Sequence, residues 1–535
     1  MSEVIVIGGG IAGICATLEL LAAGRRVLLL DRDTADNFGG LAKESFGGIF
    51  LVGTPEQRRA GIRDTPELAL ADWHAFGALD PNDADDRWPR AWAAAYVQRC
   101  HDEVGLWLRE RGVGFLPAPH WVERGLYTPG NSVPRFHIVW GTGRELALRL
   151  IDTLEQHPRR ANLEIRCGQR VEKLVTTNGA VTGCRGVGED DGQPFELTAG
   201  SVIVAAGGFN GNIERVRQHW HRDWKSSPPV ILNGSHRYAD GRLHDAVSAA
   251  GGNLTHLDAM WNYAAGVHHP RPRKPGHGLS LVPPRSALWL NWRGERIGPM
   301  PLVTGFDTRD LVAQVCKQER QYSWQLMNRR IALKELAVSG AEYNPSIRDK
   351  KKLAFLRDLI FGNQWLYDEM TGSCEDFVVG RDLAELVAKM NALQGDDAVS
   401  LDAMRTAAES YDAQIDRGQT FHNDEQLRRI AYVRHWKGDR IRTCKFQKIL
   451  DPKAGPLIAV REFIISRKSL GGIQTDLQSR VLDHGGQPIA GLFAAGEAAG
   501  FGGGGMHGLR ALECSFLGGC ILSGRLAGQA AAANT

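Results

Sequence analysis

The stretch Val4-Ile5-Val6-Ile7-Gly8-Gly9-Gly10-Ile11-Ala12-Gly13 decides the fold of this chain. Its first part is apolar and β-branched, which is typical of a strand buried on both faces of a parallel sheet. The pattern from Ile14 to Ala23 predicts a helix that ends at Gly24, and residues 27–30 predict a second buried strand. A strand, a glycine turn, a helix and a strand in this order predict a βαβ unit that binds a dinucleotide.

The glycines of this unit have separate physical roles. Gly8 permits the tight turn, Gly10 permits close approach of a pyrophosphate, and Gly13 permits close packing of the helix on the strand. Asp31 follows the second strand at the spacing expected of a carboxylate that binds ribose hydroxyls. The helix N-terminus adds unpaired N–H donors and the positive end of the helix dipole. A glycine-rich turn without a ligand is the alternative, and the unit alone does not decide between FAD and NAD.

The next glycine-rich segment favours a flavin. The stretch Gly39-Gly40-Leu41-Ala42-Lys43-Glu44-Ser45-Phe46-Gly47-Gly48 holds two glycine pairs around a short linker. Glycines allow the backbone to lie close against a planar ring, because they have no side chain. The alternative interpretation of the segment is a long flexible loop.

Three further stretches agree with a flavoprotein. They are Val202 to Phe209, the segment Gly491 to Gly500 that contains Glu497, and His507-Gly508-Leu509-Arg510 followed by a helical pattern from Ser515 to Ala533. Together with residues 39–48 they resemble the fumarate reductase and succinate dehydrogenase flavoprotein superfamily, which includes the 3-ketosteroid Δ1-dehydrogenases. The resemblance covers essentially the whole chain and keeps the order of the motifs.

The resemblance implies an α/β fold in which a Rossmann-like (βαβ) FAD-binding domain is split in sequence. Its parts are expected at residues 1–256 and 436–535, with an inserted α+β capping and substrate domain at residues 257–435. The insert shows helical patterns at Ile347 to Phe361 and Leu383 to Leu393, and an irregular Pro-rich and basic stretch at His268 to Pro275.

The resemblance also implies FAD as the cofactor. Leu41 occupies the region where succinate dehydrogenases carry the histidine that binds FAD covalently, so we expect noncovalent binding. A second dinucleotide fingerprint is not found in the sequence, so an unidentified electron acceptor or donor is expected to diffuse in or to be a separate protein. The residues implied to bind FAD are Gly8, Gly10, Ile11, Ala12, Gly13, Asp31, Arg32, Gly39, Gly40, Leu41, Ala42, Ser45, Gly47, Gly48, Val171, Ala205, Ala206, Gly207, Gly496, Glu497, Arg510, Ser515 and Leu517.

Reduction of an activated alkene needs hydride on one carbon and a proton on its neighbour. In the soluble fumarate reductases the proton donor is an arginine in a Thr-Thr-Arg-Asp sequence, which Phe306-Asp307-Thr308-Arg309-Asp310 resembles. Arg309 is therefore the candidate acid. The alternative is an arginine at a helix start that Asp307 or Thr308 caps.

Three more residues are candidates for the catalytic site. Arg510 resembles the family arginine that binds a substrate carboxylate, and a planar guanidinium fork matches that group; the alternative is an ion pair with Glu513 or Glu497 that holds the loop. Lys468 stands where the fumarate reductases have a substrate histidine, or belongs to a solvated basic turn. Tyr263 replaces another such histidine and is able to hydrogen-bond a ketone, as tyrosines do in the ketosteroid dehydrogenases, or it lines the pocket only.

These residues predict a dehydrogenase or ene-reductase that acts on a CH–CH or C=C bond next to a carbonyl or carboxylate. The alternative is a 3-ketosteroid-type dehydrogenase that acts on a bulky cyclic ketone, which Tyr263 and the nearby tryptophans favour. A third interpretation is not an enzyme but a flavin-carrying subunit that transfers electrons to a partner.

Composition limits the remaining choices. The chain has 535 residues, which predicts two or three domains. Lys plus Arg number 64 against 61 Asp plus Glu, so the overall charge gives no case for nucleic acid or for an anionic membrane surface. The nine cysteines are scattered, and we expect reduced thiols in a cytoplasmic protein. The sequence predicts neither a secretion signal nor a membrane span, and no metal site.

Overall fold

The computed structural model of the protein describes residues 3–534, which divide into two compact units. Unit 1 comprises the described residues up to His219, Ser235–Trp261, and the described residues from Arg467 onward. Unit 2 comprises Trp220–Gly234 and Asn262–Ser466. Unit 1 therefore draws on both ends of the chain.

The strands, in chain order, are β1 Val4–Ile7, β2 Val27–Leu30, β3 Gly48–Phe50, β4 Phe136–Ile138, β5 Leu163–Arg166, β6 Gln169–Thr177, β7 Ala180–Gly188, β8 Pro194–Thr198, β9 Ser201–Val204, β10 Ile231–Asn233, β11 Leu254–Thr255, β12 Met260–His268, β13 Gly278–Val282, β14 Leu288–Leu290, β15 Ser323–Asn328, β16 Ala337–Val338, β17 Phe377–Gly380, β18 Leu457–Ser469, β19 Gly472–Ile473, β20 Arg480–Leu482 and β21 Pro488–Ala494.

The helices are α1 Ile11–Ala22, α2 Pro55–Arg59, α3 Pro66–Gly77, α4 Arg87–Arg99, α5 Trp107–Glu110, α6 Thr142–Glu155, α7 Ile213–Gln218, α8 Arg242–Ala249, α9 Thr308–Cys316, α10 Arg329–Glu335, α11 Pro345–Arg348, α12 Lys352–Phe361, α13 Gln364–Ser373, α14 Leu383–Gln394, α15 Leu401–Asp416, α16 Glu425–Val433, α17 Lys437–Ile441 and α18 Ser515–Asn534.

Unit 1 is built on a six-stranded sheet in the order β20-β21-β9-β1-β2-β5. All neighbours pair in parallel except β20 with β21. Strands β1 and β2 have the bounds that the sequence predicts, and each of their residues is buried. Helix α1 begins at Ile11, earlier than the pattern predicts, because Gly10 already has the extended backbone of an N-cap. The predicted βαβ unit is therefore confirmed.

The C-terminal helix α18 packs directly on α1 through glycines. A Cβ added at Gly524 would lie 2.3 Å from the carbonyl oxygen of Ala12, and one added at Gly528 would lie 2.4 Å from that of Ala16. Only glycine allows two helix backbones to approach this closely. The helix predicted from Ser515 is thus confirmed, and it brings the end of the chain onto the dinucleotide-binding unit.

Unit 2 contains a second sheet, in the order β14-β15-β18-β12-β13-β16, with β10 and β17 also paired with β18. Its core is apolar and includes Trp289 and Trp324, both almost fully buried. These two tryptophans are therefore packing residues.

Two helical patterns of the insert have different outcomes. The pattern from Leu383 is confirmed by α14. The pattern from Ile347 to Phe361 forms two helices, α11 and α12, instead of one. The break falls at Lys350, which has a left-handed backbone with φ of 56°.

The structure also bears on the predictions about the cysteines and about membrane-spanning helices. All nine cysteines are free thiols. Within residues 3–534 no helix is both long and apolar enough to cross a membrane.

Candidate functional site

The glycine turn of unit 1 leaves room and donors for a ligand. Gly10 caps α1 with its backbone alone, and the first turn of the helix contains no acidic residue. A Cβ added at Gly10 would meet no atom within 4 Å, so the space beside its Cα is open. By contrast, a Cβ at Gly13 would lie 1.9 Å from the carbonyl oxygen of Gly8, and one at Gly8 would lie 2.3 Å from that of Ala205. The turn is thus closely packed against the sheet and open at Gly10, beside the amides of Ile11 and Ala12, where a pyrophosphate needs access.

Asp31 fixes the start of this turn. Its carboxylate accepts hydrogen bonds from the backbone N–H of Gly9 at 2.5 Å and from that of Asp33 at 2.7 Å. Burial raises the pKa of Asp31 above its usual value, and these two hydrogen bonds oppose that rise.

Arg32, the next residue, is engaged with acidic side chains. Its guanidinium makes ion pairs with Glu189 at 2.8 Å and Asp240 at 2.7 Å, and it lies over the ring of Tyr238. These contacts engage the side chain of Arg32 within the protein.

The segment from Gly39 lies directly beside the glycine turn. The N–H of Gly39 donates to the carbonyl of Gly9 at 3.0 Å. A Cβ added at Gly40 would lie 3.2 Å from the Cα of Gly10. Leu41 and Ala42 lie in a 3-10 turn, Gly40–Glu44, and Ser45 donates to the carbonyl of Ala42 at 2.8 Å.

The second glycine pair of this segment is tightly packed. A Cβ at Gly47 would lie 2.5 Å from the backbone nitrogen of Gly143, and one at Gly48 would lie 1.8 Å from the ring of Phe136. At Gly47 and Gly48, therefore, neighbouring protein atoms occupy the space that a side chain would need.

The predicted C-terminal motif also reaches the glycine turn. The N–H of Gly496 donates to the Ser523 hydroxyl at 2.9 Å, and a Cβ at Gly496 would lie 2.8 Å from the Cβ of Ala12. Glu497 accepts from the N–H of Ser469 at 3.1 Å. A Cβ at Gly208, next to Gly207, would lie 2.3 Å from a carboxylate oxygen of Glu497.

The remaining predicted cofactor residues also lie in unit 1. Ala206 is half-buried beside Gly207, and Val171 is buried in β6 with the apolar core under the sheet. Ser515 begins α18 and donates to the carbonyl of Leu512 at 2.6 Å, and Leu517, two residues later, is half-buried. Sequence-distant segments are thus joined around one glycine turn with open space at Gly10, which fits a dinucleotide such as FAD.

Lys468 lies at the end of strand β18 and not in a turn. Its ammonium group lies 4.2 Å from the centre of the Phe516 ring. Burial and the neighbouring Arg467 lower the pKa of Lys468 below its usual value, because both disfavour a charged ammonium group. Burial raises the pKa of Glu497, while Ser469 and Lys468 oppose that rise. The alternative of a solvated basic turn is therefore wrong, because Lys468 is a half-buried strand residue beside Phe516.

Arg510 closes a long irregular loop, Phe501 to Leu509, that precedes α18. The loop is held by contacts that only glycine permits, for example at Gly502, where a Cβ would lie 2.5 Å from the ring of Trp92. His507 in this loop is buried, stacks on Trp73 with a centroid distance of 5.3 Å, and has a pKa lowered to about 3 by burial.

Arg309 lies in the first turn of α9 in unit 2, after the N-cap Asp307. Its side chain is buried. The guanidinium Nη2 lies 3.0 Å from Nδ1 of His221 and 3.2 Å from a carboxylate oxygen of Asp223, and the group lies over the Trp224 ring at 5.1 Å. Asp307 does cap the helix, as the alternative proposes, and Arg309 is also held in one place by the segment 221–224.

Tyr263 lies in β12 of unit 2 and is half-buried. It packs against an apolar cluster of Leu232, Phe463 and Ile465, together with Tyr322. The Tyr263 ring is thus packed on an apolar cluster whose members are nearly fully buried.

Sequence reasoning missed three residues near these candidates. His221 and Asp223 hold Arg309 although they lie some 90 positions before it, at separations of 88 and 86. Asn262 precedes Tyr263, is buried, and within residues 3–534 neither its amide nitrogen nor its oxygen has a hydrogen-bond partner. No sequence pattern marks these residues, because their role depends on long-range packing.

Comparisons with known proteins agree with a flavin-binding fold. The model of a family described as the FAD binding domain matches residues 3–517. A KsdD-like steroid dehydrogenase from Mycobacterium tuberculosis is 43% identical over 549 residues, which cover 99% of this chain and 96% of that protein.

Solved structures show the same fold at lower identity. The open conformation of a flavocytochrome c3 fumarate reductase matches with a TM-score of 0.69 at 22% identity, covering 100% of this chain and 78% of the other. A 3-ketosteroid delta1-dehydrogenase from Sterolibacterium denitrificans, in complex with 1,4-androstadiene-3,17-dione, matches with a TM-score of 0.67 at 16% identity and covers 100% of both chains.

Proposed function

The chain belongs to the flavoprotein family described as the FAD binding domain, and from this premise we propose which bond it acts on and which residues take part. It is an FAD-dependent oxidoreductase that acts on CH–CH groups. The substrate bond proposed here is a CH–CH or C=C bond next to a carbonyl or carboxylate. Bound FAD supplies the site that accepts or donates the hydride.

The domain assignment is part of the proposal. We assign the split FAD-binding domain to residues 1–256 and 436–535, and the capping and substrate domain to residues 257–435. The FAD-binding candidates support the assignment, because all of them lie in unit 1. The compact units divide the chain differently, since residues 220–234 and 436–466 belong to unit 2. Noncovalent binding is also proposed, because Leu41 has no nucleophilic atom. Denaturing the protein and separating the polypeptide tests it, since a noncovalent flavin leaves the chain as intact FAD.

We assign the remaining roles, proton donation and substrate anchoring, to side chains of the protein. Arg309 is the proposed proton donor, and the contacts with His221 and Asp223 hold its guanidinium in one orientation. Lys468 and Arg510 are the proposed anchors for the carbonyl or carboxylate oxygen, where a cation stabilises the negative charge that develops during reduction. The half-buried setting of Lys468 against Phe516 strengthens this interaction, because little water screens it.

A bulky cyclic ketone is the favoured substrate class within this chemistry. One structural observation carries it: the Tyr263 phenol stands on the apolar cluster of Leu232, Phe463 and Ile465. The apolar side chains match a ring system, and the phenol is able to donate to a ketone oxygen. The 43% identical relative is named a steroid dehydrogenase, which supports the same class.

Anaerobic titration of the flavin absorbance tests the proposal. Ketosteroids, simple enones and enoates are added to the oxidised and to the reduced protein, with an artificial electron acceptor or donor for turnover. We expect ketosteroids to change the redox state of the flavin, with enoates ineffective. A flavin that responds to enoates alone would instead support a fumarate reductase-like substrate, and a flavin that responds only to a redox protein would support an electron-transfer subunit.

The cell compartment and the electron partner complete the proposal. We propose a cytoplasmic location, which the free cysteines support because thiols persist in a reducing compartment. The electron acceptor or donor is proposed to be a diffusing molecule or a separate protein.

A further inference from the structure

Helix α12 of unit 2 presents an apolar face to solvent. Leu353, Ile360 and Phe361 are 85%, 67% and 77% exposed, and Leu356 and Trp365 are exposed as well. We call these five residues the α12 face. Residues 353, 356 and 360 recur at the spacing of one side of a helix.

The exposure of α12 is unusual within its own unit. No residue of α12 is buried, although the helix packs against α10 and α11. Helix α14 in the same unit fully buries Leu386 and Met390. Contiguous apolar surface of this kind marks a site where a monomer meets another surface.

Basic residues lie at one end of the α12 face. Lys350, Lys351 and Lys352 stand in sequence at the N-terminal end of the helix, and Arg348 precedes them. Residues 345–361 contain five basic and two acidic side chains. Lys352 is exposed, whereas Arg348 and Lys351 both pair with Asp349, at 2.7 and 3.7 Å. An exposed helix with Leu, Ile, Phe and Trp beside a lysine cluster is typical of helices that lie in the plane of an anionic bilayer.

We propose that α12 docks the protein on an anionic lipid surface. The α12 face enters the boundary between headgroups and acyl chains, and Lys350, Lys351 and Lys352 contact the phosphate groups. The charge of the segment favours an anionic surface, and the small size of the helix disfavours a second copy of this chain as the occupant. Ten residues span about 15 Å, whereas a stable protein interface needs roughly 20–30 residues on each side. This inference does not depend on the substrate proposed above.

Flotation of the purified flavin-loaded protein with lipid vesicles tests the proposal. One vesicle preparation contains equal parts of phosphatidylcholine and phosphatidylglycerol, and the other contains phosphatidylcholine alone. We expect the protein to float with the anionic vesicles and to be released as salt concentration rises. We expect I360E/F361E, and separately K350E/K351E/K352E, to reduce the floated fraction by about tenfold.

Control variants carry changes of the same kind elsewhere in unit 2. Phe421→Glu replaces one other aromatic residue, which is 71% exposed. K389E/R405E/R417E reverses three basic charges, on α14, within α15 and at the residue after α15. Both controls should float like the unaltered protein, and the flavin spectrum checks the fold of every variant. The proposal is overturned if the unaltered protein stays off both vesicles, if the α12 variants float normally, or if I360E/F361E converts a dimer into a monomer by light scattering.

Discussion

The guanidinium Nη2 of Arg309 lies 3.0 Å from the imidazole Nδ1 of His221, inside unit 2. The contact gives the arginine a fixed direction, because Asp223 and the Trp224 ring hold it from further sides. The proposed proton donor is thereby held in position before a substrate binds.

Replacing Arg309 by alanine is expected to leave FAD bound and to abolish turnover. All FAD-binding candidates lie in unit 1, so the cofactor content should not change. Loss of a general acid lowers kcat by about 10² to 10⁴-fold. Anaerobic stopped-flow measurement of the flavin reaction, together with the FAD to protein ratio, checks both expectations.

The matched control for this variant is Arg429→Ala. Arg429 is another buried arginine of unit 2, held by Glu425 and by the carbonyl of Pro301. Its replacement should lower the melting temperature without lowering kcat once the protein is folded. Loss of FAD from Arg309→Ala, or equal kcat losses in both variants, would contradict the role of Arg309.

Lys468 should set the high-pH limb of the activity profile. Its pKa is lowered by burial and by Arg467, so it loses its proton at a lower pH than the usual lysine value of 10.5. A charged Lys468 is the proposed anchor, and kcat/KM should therefore fall as pH rises through this lowered pKa. Lys468→Arg should retain activity and move the fall to higher pH, since a guanidinium stays charged. Lys468→Met should raise KM and remove that limb of the profile.

The local units of the fold were predictable from sequence, and the long-range contacts were not. Residues 4–31 have a glycine spacing and an apolar pattern that are set within one βαβ unit, so strands β1 and β2 were predicted with their observed bounds. The contact of Arg309 with His221 joins segments 88 positions apart, and no local pattern encodes it.

Sequence reasoning also failed to predict which charged residues are buried and where charges cluster. Lys468 follows Arg467 in a sequence that also suits a solvated turn, and only the pairing of β18 shows that both extend a strand. The near-balanced total of 64 basic and 61 acidic residues gave no reason to expect an anionic partner. That total averages over the whole chain and hides the lysine cluster beside the α12 face.

Glu462 should make the stability of the protein fall with rising pH. Its carboxylate is buried in β18, and within residues 3–534 neither of its oxygens has a hydrogen-bond partner. Burial, together with the charge of Asp376, raises its pKa well above the usual 4.5. The folded protein therefore keeps the proton while the unfolded chain releases it, so the stabilising difference is complete below pH 4.5 and is lost as pH rises.

Glu462→Gln is expected to remove this pH dependence. Its free energy of unfolding should exceed that of the unaltered protein by about 1.4 kcal/mol for each pH unit above the unfolded pKa, until Glu462 ionises in the fold. Denaturant unfolding between pH 5 and pH 8 measures the difference. The control is Glu409→Gln on the exposed side of α15, which should show no such trend. A difference that stays constant with pH would contradict the burial of an unpartnered carboxyl group.

Substitutions at Gly10 and Gly13 should affect cofactor binding and folding separately, although only two residues lie between them in the sequence. A Cβ at Gly10 would meet no protein atom within 4 Å, so Gly10→Ala should fold with nearly unchanged stability when FAD is removed. The added methyl group would occupy the open space that a pyrophosphate needs, and FAD affinity should fall at least about tenfold.

A Cβ at Gly13 would lie 1.9 Å from the carbonyl oxygen of Gly8, so Gly13→Ala should destabilise the FAD-free protein by about 1–3 kcal/mol. Thermal unfolding of FAD-free protein and fluorescence titration with FAD measure the two effects separately. If Gly10→Ala bound FAD normally, the cofactor would have to cross the turn at another residue, because a free methyl group at this position leaves a pyrophosphate no close approach to the backbone.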